Sequence, residues 1–436
     1  MSELNGKNVV VVGMAKSGHA AVRLLLSQGA VVRAVDEKRQ GTVEGLTVLP
    51  QTAEAFENAD LIVLSPGVPA DLPLLPAGVR VIGELELAAP YLQGPVIGIT
   101  GTNGKTTTTA LTGHILREAG ISVQVGGNIG TAPTDMIETS RPDQWNVLEL
   151  SSFQLETIST FRAQAAACLN ITQNHLDRHH TLERYVQAKA RLFETQQPED
   201  TAVLNALDPV TAALETKIKG KLLWFNSENG AWLDKNTIRL DAEPLLEVSE
   251  LQLRGRHNYE NVMAAALLAR IAGATSAQIG AAAKTFAPVE HRLEFVAKVD
   301  GVDYYNDSKA TSVDATLKAI DAFPGGLWII LGGKDKDSDY RPLREPLRKK
   351  ARAILLIGSA AEKIMRQLDG VTSIRPCGTL SAAIGEAYID AKPGETVLLA
   401  PACSSFDQFT SYEHRGRVFK QLVQELAKDN GSTAQN

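Results

Sequence analysis

The sequence predicts an α/β protein of three domains, each built on a mainly parallel sheet. The chain has 436 residues, and a domain typically has about 150, so the length alone suggests about three domains. Short β-branched runs alternate with helix-length segments along the chain, as expected for parallel strands joined by crossover helices. This alternation stops near residue 93 and again near residue 288. We therefore expect domains at residues 1–93, 94–288 and 289–436.

The first domain has the pattern of a doubly wound, Rossmann-like sheet. A buried-strand run at Asn8–Val12 is followed by a helix that continues to Gln28. Further strand runs occupy Val31–Val35 and Leu61–Leu64. A sheet of this kind binds its ligands at the carboxyl ends of the strands.

The other two domains repeat this pattern. In the central domain, which we expect to be P-loop-like, helices are predicted at Thr106–Ala119 and Asn258–Ala272. The strand runs of that domain are Val96–Ile99, Val147–Leu150 and Ala166–Asn170. Leu222–Phe225 and Thr237–Leu240 predict a small side sheet. The C-terminal domain is again Rossmann-like, with strand runs at Val302–Asn306, Trp328–Leu331, Ile354–Ile357 and Thr396–Ala400.

Composition excludes several classes of function. Lys and Arg number 44 and Asp and Glu 50, so the net charge of −6 does not favour binding to nucleic acid or to an anionic membrane. No apolar run approaches the roughly 20 residues of a transmembrane helix. The N-terminus enters a strand without a signal-peptide core, and the three scattered cysteines form neither a disulfide framework nor a CxxC metal site. We expect a cytoplasmic protein that is a monomer.

The strongest motif is a phosphate-binding loop at Thr100–Thr106, with the sequence TGTNGKT. It follows an apolar strand and opens a helix, so backbone N–H groups can surround a phosphate while Lys105 supplies charge and the Thr106 hydroxyl binds Mg²⁺. The motif departs from the strict GxxxxGK[ST] pattern because Ile99 stands where its first glycine would be. The alternative is a glycine-rich turn with a chance Lys-Thr pair, which the strand–loop–helix context disfavours.

Polar groups also follow two other strands of the central domain. Glu149 closes one strand and His175 lies just beyond another, and the carboxyl ends of parallel strands meet at one edge. A carboxylate near a triphosphate suits Mg²⁺, although Glu149 could also be a loop or capping carboxylate. His175 and His179 have the spacing of a helical zinc pair, but zinc is the weaker interpretation without an HExxH motif. Lys189, in a helical stretch, is by spacing alone a solvated lysine.

The first domain carries half of a dinucleotide-binding fingerprint. Gly13, Ala15 and Gly18 are followed by Asp36, but Ala15 replaces the glycine at which a pyrophosphate approaches the backbone. The pattern indicates NAD only weakly and is compatible with another nucleotide-bearing ligand.

Three loops of the C-terminal domain follow strands, and each contains a Lys or a hydroxyl group. They are Asn306–Thr311, Gly332–Lys336 and Pro401–Phe406. Such groups at neighbouring strand ends suggest a site for an anion, whereas ordinary β–α loops also favour Asp, Ser and Gly. Cys403 has no evident histidine partner, so a small buried cysteine is a simpler interpretation than a nucleophile.

Taken together, these segments resemble the Mur ligase family, and the resemblance runs through essentially the whole chain. The motifs that carry it are TGTNGKT at 100–106, GGNIG at 126–130, LELSSFQLE at 148–156, LNITQNHLDRH at 169–179, GRHNYEN at 255–261, HRLE at 291–294, NDSKAT at 306–311 and PACSSFDQF at 401–409. NDSKAT and SSFDQF favour the D-glutamate-adding member over its siblings and over folylpolyglutamate synthase.

The resemblance implies an ATP-dependent ligase of peptidoglycan precursor synthesis that joins D-glutamate to UDP-N-acetylmuramoyl-L-alanine through an acyl phosphate. The N-terminal domain would bind the UDP substrate and the central domain ATP. The C-terminal domain would bind D-glutamate and contribute to the ATP site. The implied cofactors are ATP and Mg²⁺, with two ions expected, and Lys189 would be carbamylated.

The resemblance also assigns site residues by position. The catalytic set would be Lys105, His175, Lys189 and Lys309, and the metal ligands Thr106, Glu149, His175 and the carbamate of Lys189. The ATP-binding set would be Gly101, Thr102, Asn103, Gly104, Lys105, Thr106, Thr107, Asn261, Arg292, Asp307 and Lys309. D-glutamate would contact Thr311, Lys336, Ser405 and Phe406. The UDP substrate would contact Lys16, Ser17, Glu37, Lys38, Ser65, Gly67 and Asn128.

Three positions depart from the family pattern. Glu37 and Lys38 stand where a hydroxyl and a larger cation are familiar, and Tyr412 stands where phenylalanine is familiar. Two other classes of function are alternatives to the ligase. An NAD(P)-linked oxidoreductase leaves the phosphate loop unexplained. A regulator or scaffold that binds ATP without forming a bond would not need the intact set of Lys105, Glu149, His175 and Lys309.

Overall fold

The computed structural model describes residues 3–287 and 289–429 and contains three sheets, one for each expected domain. The three-domain α/β fold is thereby confirmed. The described residues form two compact units. The first runs to Leu251 and includes Glu260–Phe286, and the second comprises Gln252–Tyr259 and the residues from Ala287 onward. The expected boundary at Pro288 lies outside the described residues, and both domain boundaries stay predictions.

The N-terminal sheet belongs to the first unit. Its strands are β1 (Asn8–Val12), β2 (Val31–Asp36), β3 (Thr42–Val43), β4 (Leu46–Pro50), β5 (Leu61–Leu64) and β6 (Arg80–Gly83), and its helices are α1 (Lys16–Ser27) and α2 (Glu84–Ala88). The strand order is β3-β4-β2-β1-β5-β6. Strand β1 is parallel to both β2 and β5. The chain therefore winds in opposite directions on the two sides of β1, and its carboxyl end forms the crevice in which such sheets bind ligands.

The central sheet, also in the first unit, has nine strands. They are β7 (Val96–Thr100), β8 (Val123–Gly127), β9 (Trp145–Glu149), β10 (Ala165–Cys168), β11 (Thr201–Asn205), β12 (Lys221–Phe225), β13 (Gly230–Asp234), β14 (Thr237–Leu240) and β15 (Glu243–Glu247). Their order is β15-β14-β13-β12-β11-β10-β7-β9-β8. The expected small side sheet is wrong, because β12 pairs in parallel with β11 and the antiparallel strands β13–β15 extend the same sheet.

Eight helices follow the phosphate loop through the central sequence block. They are α3 (Lys105–Glu118), α4 (Pro133–Met136), α5 (Ser152–Leu155), α6 (Leu176–His179), α7 (Leu182–Glu194), α8 (Pro209–Ala212), α9 (Arg256–Ile271) and α10 (Ser276–Thr285). Residues 262–269 of α9 are all buried, which explains why that helix is alanine-rich rather than amphipathic.

The second unit contains the C-terminal sheet. Its strands are β16 (Glu294–Val299), β17 (Val302–Asn306), β18 (Leu327–Gly332), β19 (Ala351–Ile357), β20 (Ser373–Gly378) and β21 (Thr396–Leu399), in the order β16-β17-β21-β18-β19-β20. Its helices are α11 (Val313–Asp321), α12 (Arg344–Lys350), α13 (Ala361–Leu368), α14 (Leu380–Asp390) and α15 (Tyr412–Asp429). Strand β21 lies between β17 and β18 and is parallel to both, so the loops after these three strands emerge side by side. Within the described parts of the chain, no helix combines the length and apolar character that crossing a membrane requires.

Candidate active site

The phosphate loop after β7 has a backbone that only glycine adopts without strain. Gly101 and Gly104 have φ angles of 148° and 85°. Asn103 N donates a hydrogen bond of 2.8 Å to Asn170 Oδ1, and the Asn170 amide donates back to Asn103 O at 3.1 Å. The strand was expected to end at Asn170, but β10 ends at Cys168. Asn170 lies beyond the strand, and its side chain holds the phosphate loop. The loop leads into α3, whose N-terminus favours a phosphate.

Asn261, on α9, packs directly against this loop. A Cβ atom at Gly104 would lie 2.2 Å from Asn261 Oδ1, so a larger residue at Gly104 would displace the amide. Thr108 Oγ1 lies 3.3 Å from the same oxygen. Thr106 and Thr107 precede Thr108 in the first turn of α3. The structure therefore brings the expected ATP-binding residues of the first unit together.

Two lysines meet at one carbonyl oxygen of the loop. Lys105 Nζ donates to Gly101 O at 2.9 Å and to Thr102 O at 2.9 Å. Lys189 Nζ, from α7, donates to the same Gly101 O at 2.9 Å. Two ammonium groups at one carbonyl repel each other in a poorly solvated position, so an added anion would stabilise the pair.

Lys189 is not the solvated lysine that its helical spacing suggested. Its side chain is only 1% exposed, and Nζ lies 4.6 Å from the centre of the Tyr185 ring. Burial, and then the charge of Lys105, holds the pKa of Lys189 well below its usual range. Tyr185 OH in turn lies 3.2 Å from Thr102 Oγ1. A buried lysine of this kind is a candidate for a chemical role.

Glu149, at the end of β9, presents an oxygen that the protein leaves unsatisfied. Its Oε1 accepts a 2.7 Å hydrogen bond from Asn128 Nδ2, and Asn128 N donates to the Glu149 carbonyl at 2.8 Å. Its Oε2 is buried and has no hydrogen-bond donor among the described residues. A buried carboxylate oxygen without a donor is costly unless a cation reaches it. The residues therefore fit a Mg²⁺ ion, which prefers oxygen ligands.

The two candidate histidines have different surroundings. His175 is exposed, has a φ of 53° and stacks edge-on against Phe153 with 4.9 Å between ring centres. His179 is buried, with Nε2 2.9 Å from Ser152 Oγ and Nδ1 3.2 Å from Glu156 Oε1. Because protein groups engage both nitrogens of His179, these contacts further disfavour the zinc-pair interpretation. The ring centre of His175 lies 6.4 Å from that of Tyr185, whose hydroxyl contacts Thr102 of the phosphate loop.

The crevice at the end of β1 depends on close backbone packing. A Cβ at Gly18 would lie 1.9 Å from Gly13 O, so glycine is required for α1 to approach the strand. Ser65 Oγ donates to the same carbonyl at 2.6 Å. Lys16 Nζ donates to Gly130 O in the loop after β8. The expected substrate residues that follow β1 and β5 here are Lys16, Ser17, Ser65 and Gly67.

Glu37 and Lys38, the expected substrate residues after β2, have exposed side chains. Their side chains are 71% and 83% exposed and pair with each other at 3.8 Å. Arg39 instead donates from Nη1 to Met14 O, at 2.7 Å, in the loop after β1. Asp36 Oδ1 fixes this turn by accepting the backbone N–H groups of Lys38 and Arg39, both at 2.8 Å. Of the two neighbouring cations Lys38 and Arg39, Arg39 is therefore the one that contacts the loop after β1.

In the second unit, the remaining expected ATP residues lie around the end of β17. Asp307 is buried, and burial raises its pKa to about 7 while the charge of Arg292 and the Leu293 N–H oppose the shift. Lys309 Nζ lies 3.8 Å from the centre of the Tyr412 ring, a favourable cation–π geometry. Because the aromatic ring makes this contact, Tyr412 can interact with Lys309 as a phenylalanine at this position would.

The expected D-glutamate residues lie on the three neighbouring loops of this unit. Thr311 follows β17, Lys336 follows β18, and Ser405 and Phe406 follow β21. Ser405 is buried, whereas the Phe406 ring is 67% exposed, which is unusual for so large an apolar side chain. The arrangement presents a hydroxyl, a cation and an apolar surface at one sheet edge.

Two residues at these sites were missed from the sequence. Tyr185 could have been found, because it precedes Lys189 by four positions on a helix and must share its face. Arg39 offered a weaker signal, namely a second cation directly after Lys38 in a turn that begins with Asp36.

The fold and the phosphate loop define a nucleotide-dependent enzyme of the α/β class, and comparison with known families assigns it further. Residues 99–269 match the Mur ligase middle domain, residues 291–403 the Mur ligase glutamate ligase domain, and residues 7–83 the Mur ligase MurD-like N-terminal domain. The chain belongs to the Mur ligase family.

Similar proteins agree with this assignment. UDP-N-acetylmuramoylalanine–D-glutamate ligase from Solibacter usitatus is 59% identical over 97% of this chain and 99% of its own. Among solved structures, UDP-N-acetylmuramate–alanine ligase from Thermotoga maritima is 19% identical with a TM-score of 0.62, covering 96% of this chain and 99% of its own. MurF ligase from Thermotoga maritima in complex with ADP is 16% identical with a TM-score of 0.61, covering 98% and 96%. The two structures share the fold.

Proposed function

We propose that the chain is an ATP-dependent ligase that joins D-glutamate to UDP-N-acetylmuramoyl-L-alanine and releases ADP and phosphate. The relative named for this ligation is similar over nearly the full length of both chains. The observation that carries the proposal is the meeting of Lys105 and Lys189 at the Gly101 carbonyl, within the electrostatic reach of Glu149. This cluster combines the cations that bind phosphate with the carboxylate that binds a metal.

In this proposal the first unit binds the triphosphate. Lys105 and the N–H groups of residues 101–107 contact the phosphate oxygens, and Asn261 supports the loop. Thr106, Glu149 and His175 would hold Mg²⁺, which when bound neutralises phosphate charge. The hydrogen bond from Asn128 holds Glu149 Oε1, so Oε2 would be the oxygen that binds the ion. Arg292, Asp307 and Lys309 add the contribution of the C-terminal domain to ATP binding.

The reaction forms one amide bond at the expense of one phosphoanhydride. The carboxylate of UDP-N-acetylmuramoyl-L-alanine attacks the γ-phosphorus, ADP leaves, and an acyl phosphate results. The amine of D-glutamate then attacks the acyl carbon, loses a proton, and phosphate leaves with the electron pair of the C–O bond. Lys105 and Lys309 stabilise the charge that develops on the phosphoryl oxygens.

Lys189 acts as a carbamate in this proposal. A neutral amine adds to CO₂ to form the N–C bond and releases a proton to water. The burial of Lys189 and the charge of Lys105 favour that neutral amine, since both lower the pKa of Lys189. The resulting anion would relieve the repulsion at Gly101 O and provide an oxygen ligand for a second Mg²⁺.

D-glutamate would bind at the edge formed by the loops after β17, β18 and β21. Its side-chain carboxylate needs cations or hydroxyls, because an unpaired charge in a cleft is costly. Lys336, Thr311 and Ser405 supply them, and Phe406 supplies an apolar wall. The UDP moiety would lie in the crevice after β1, and the reaction would take place in the cytoplasm on a monomeric enzyme.

The direct test is phosphate release from ATP with UDP-N-acetylmuramoyl-L-alanine and each candidate amino acid in turn. We expect D-glutamate to give turnover, and L-glutamate, L-lysine and D-alanyl-D-alanine to give little. Efficient addition of L-lysine or diaminopimelate would overturn the choice of amino acid while leaving the ligase reaction intact. A protein that hydrolyses ATP without any amino-acid dependence would overturn the proposal.

A second measurement tests the amino-acid site. Lys336→Ala should raise KM for D-glutamate far more than KM for ATP or for the UDP substrate, because it removes an interaction that ground and transition states share. Lys349→Ala, an exposed lysine on α12 of the same unit, is the matched control and should change neither. Equal KM values in both variants would remove Lys336 from the site.

A further inference from the structure

The loops that carry Lys336 and Ser405 are joined by hydrogen bonds between Lys334 and Ser404, which precede those two residues in the sequence. Lys334 N donates to Ser404 O at 2.9 Å, and Ser404 N donates back to Lys334 O at 3.2 Å. Ser404 Oγ adds a 3.0 Å hydrogen bond to the same Lys334 carbonyl. The loop after β18 and the loop after β21 therefore behave as one short antiparallel bridge.

A buried tyrosine, Tyr340, makes a second connection between the two loops. Tyr340 is 0% exposed, and its hydroxyl donates to Asp335 Oδ1 at 2.7 Å while lying 3.0 Å from Cys403 Sγ. Asp335 directly precedes Lys336, and Cys403 precedes Ser405 by two positions. One phenolic group thus contacts both loops next to the residues expected to bind D-glutamate.

The direction of these hydrogen bonds follows from the protonation states. Burial, together with Cys403 and Asp335, holds the pKa of Tyr340 well above its usual range, so the phenol stays neutral. Burial raises the pKa of the Cys403 thiol to about 11, so the thiol also keeps its proton. Tyr340 has one proton and donates it to Asp335. The thiol must then donate to the phenol oxygen, which gives an ordered chain from Cys403 through Tyr340 to Asp335.

Asp335 is fixed from two further directions. Lys363 Nζ, on α13, lies 2.7 Å from Asp335 Oδ2, and Ser338 N donates to Asp335 Oδ1 at 3.1 Å. Burial alone would raise the pKa of Asp335, but these donors and the phenol lower it overall, so the carboxylate is charged. The residue before Lys336 is consequently held by three donors that belong to different parts of the unit.

We propose that Tyr340 is a positioning residue for recognition of the side-chain carboxylate of the amino-acid substrate. Its hydroxyl sets the spacing between the loop of Lys336 and the loop of Ser405, and this spacing determines whether both groups reach one carboxylate. The inference rests on the proposed function, and it adds a residue that would not itself touch the substrate.

The test is Tyr340→Phe, which keeps the ring and its packing and removes only the hydroxyl. We expect KM for D-glutamate to rise about tenfold, the scale expected for the loss of one hydrogen bond to a charged group. KM for ATP and for UDP-N-acetylmuramoyl-L-alanine should change less than about twofold. Tyr304→Phe is the matched control, because Tyr304 is equally buried in the same unit but packs in a different core cluster. It should leave all three KM values unchanged.

A second pair of variants tests the hydrogen-bond chain itself. Cys403→Ser retains a donor to the phenol and should keep KM for D-glutamate near that of the wild type. Cys403→Ala removes the donor without adding bulk and should raise KM for D-glutamate in the same direction as Tyr340→Phe. A merely structural role would instead shift the melting temperature and all three KM values together in both Tyr340→Phe and Cys403→Ala.

The outcomes separate this inference from the proposed function. If the wild-type enzyme does not add D-glutamate, the proposed function fails. If it adds D-glutamate, Lys336→Ala raises KM for D-glutamate, and Tyr340→Phe leaves KM at the wild-type value, the positioning role of Tyr340 is refuted and the proposed function stands. A selective rise in KM for D-glutamate in Tyr340→Phe, absent in Tyr304→Phe, supports the inference.

Discussion

Glu84, the first residue of α2, should make the stability of the first unit depend on pH in a direction opposite to that usual for a carboxylate. It is only 1% exposed, and Oε1 accepts hydrogen bonds from Thr134 N and Thr134 Oγ1 at 2.7 and 2.6 Å. Its Oε2 is buried without a hydrogen-bond partner among the described residues. Burial raises the pKa of Glu84 from 4.5 to about 7, with the Thr134 hydrogen bonds opposing the shift.

The sign follows from proton linkage. Between about pH 4.5 and pH 7 the folded protein holds a proton at Glu84 that the unfolded chain has lost, so stability falls as pH rises through this window. At about 1.4 kcal/mol for each pH unit between the two pKa values, the loss is at most about 3.5 kcal/mol. Glu84→Gln stays neutral and keeps an oxygen for Thr134. We therefore expect it to be more stable than the wild type by about 1–3 kcal/mol at pH 8, and little different at pH 4.5.

The assay is urea unfolding of the wild type and Glu84→Gln from pH 4.5 to 8.5, followed by tryptophan fluorescence. The difference between the two proteins is the quantity to compare, because Asp307, whose pKa burial also raises to about 7, adds its own slope to both. Parallel stability curves for the two proteins would refute the reasoning.

Glu86, on the same helix, is the matched control. Its carboxylate accepts five hydrogen bonds from residues 159–161, at 2.7 to 3.0 Å. Burial alone would raise the pKa of Glu86, but these donors lower it overall. Its contribution is therefore present above the unfolded pKa and is lost as pH falls. Glu86→Gln should destabilise the protein at pH 8, by about 1–3 kcal/mol, because the amide replaces one carboxylate oxygen with a donor and leaves at least one backbone N–H without its acceptor.

Three further predictions concern the site. Glu149→Gln should raise the Mg²⁺ concentration needed for half-maximal rate, since a carboxylate ligand is lost, and an unchanged Mg²⁺ dependence would contradict the metal role. Lys189→Ala should be nearly inactive and partly rescued by short carboxylic acids, whereas electron density for a bare amine in a metal-loaded complex would exclude the carbamate. Arg39→Ala should weaken binding of uridine diphosphate, measured by calorimetry, by about tenfold, while Lys38→Ala should not. Equal losses in the two variants would mean that Arg39 has no special role in the crevice.

Hydrophobic patterning was sufficient to predict most of the strands that lie in the middle of the sheets, although β11, between β10 and β12, was missed. β1, β5, β7, β18 and β21 are flanked by strands on both sides, so their sequences are continuous apolar runs that stand out from their surroundings. Edge strands carry less signal. β3 has two residues, β15 exposes three of its five and β20 three of its six, and none of the three strands was predicted.

The side sheet shows a different limit of sequence reasoning. Leu222–Phe225 and Thr237–Leu240 were correctly seen as strands, but pairing partners cannot be read from a single strand. β12 pairs with β11 in a register that places Lys221–Phe225 opposite Thr201–Asn205. This register depends on how the two strands pack in the folded protein.

The residues of the candidate site also differ in whether local sequence or distant contacts determine their position. Groups fixed by their own strand or loop, such as Lys105, Glu149 and Ser405, could be predicted because position at a strand end is a local property. Lys189 could not be distinguished from a solvated lysine, since its burial depends on the distant phosphate loop that accepts its hydrogen bond.

Arg39 and Tyr340 are harder still, because each acts through a contact that no spacing rule encodes. Arg39 reaches a carbonyl 25 positions away, and the Tyr340 hydroxyl reaches a thiol 63 positions away, across two loops. Each contact fixes the position of one segment relative to another. Neither depends on the chemistry of a single segment alone. Since substrate selection by a ligase depends on that relative placement, residues of this kind can change specificity while every motif that identifies the family stays intact.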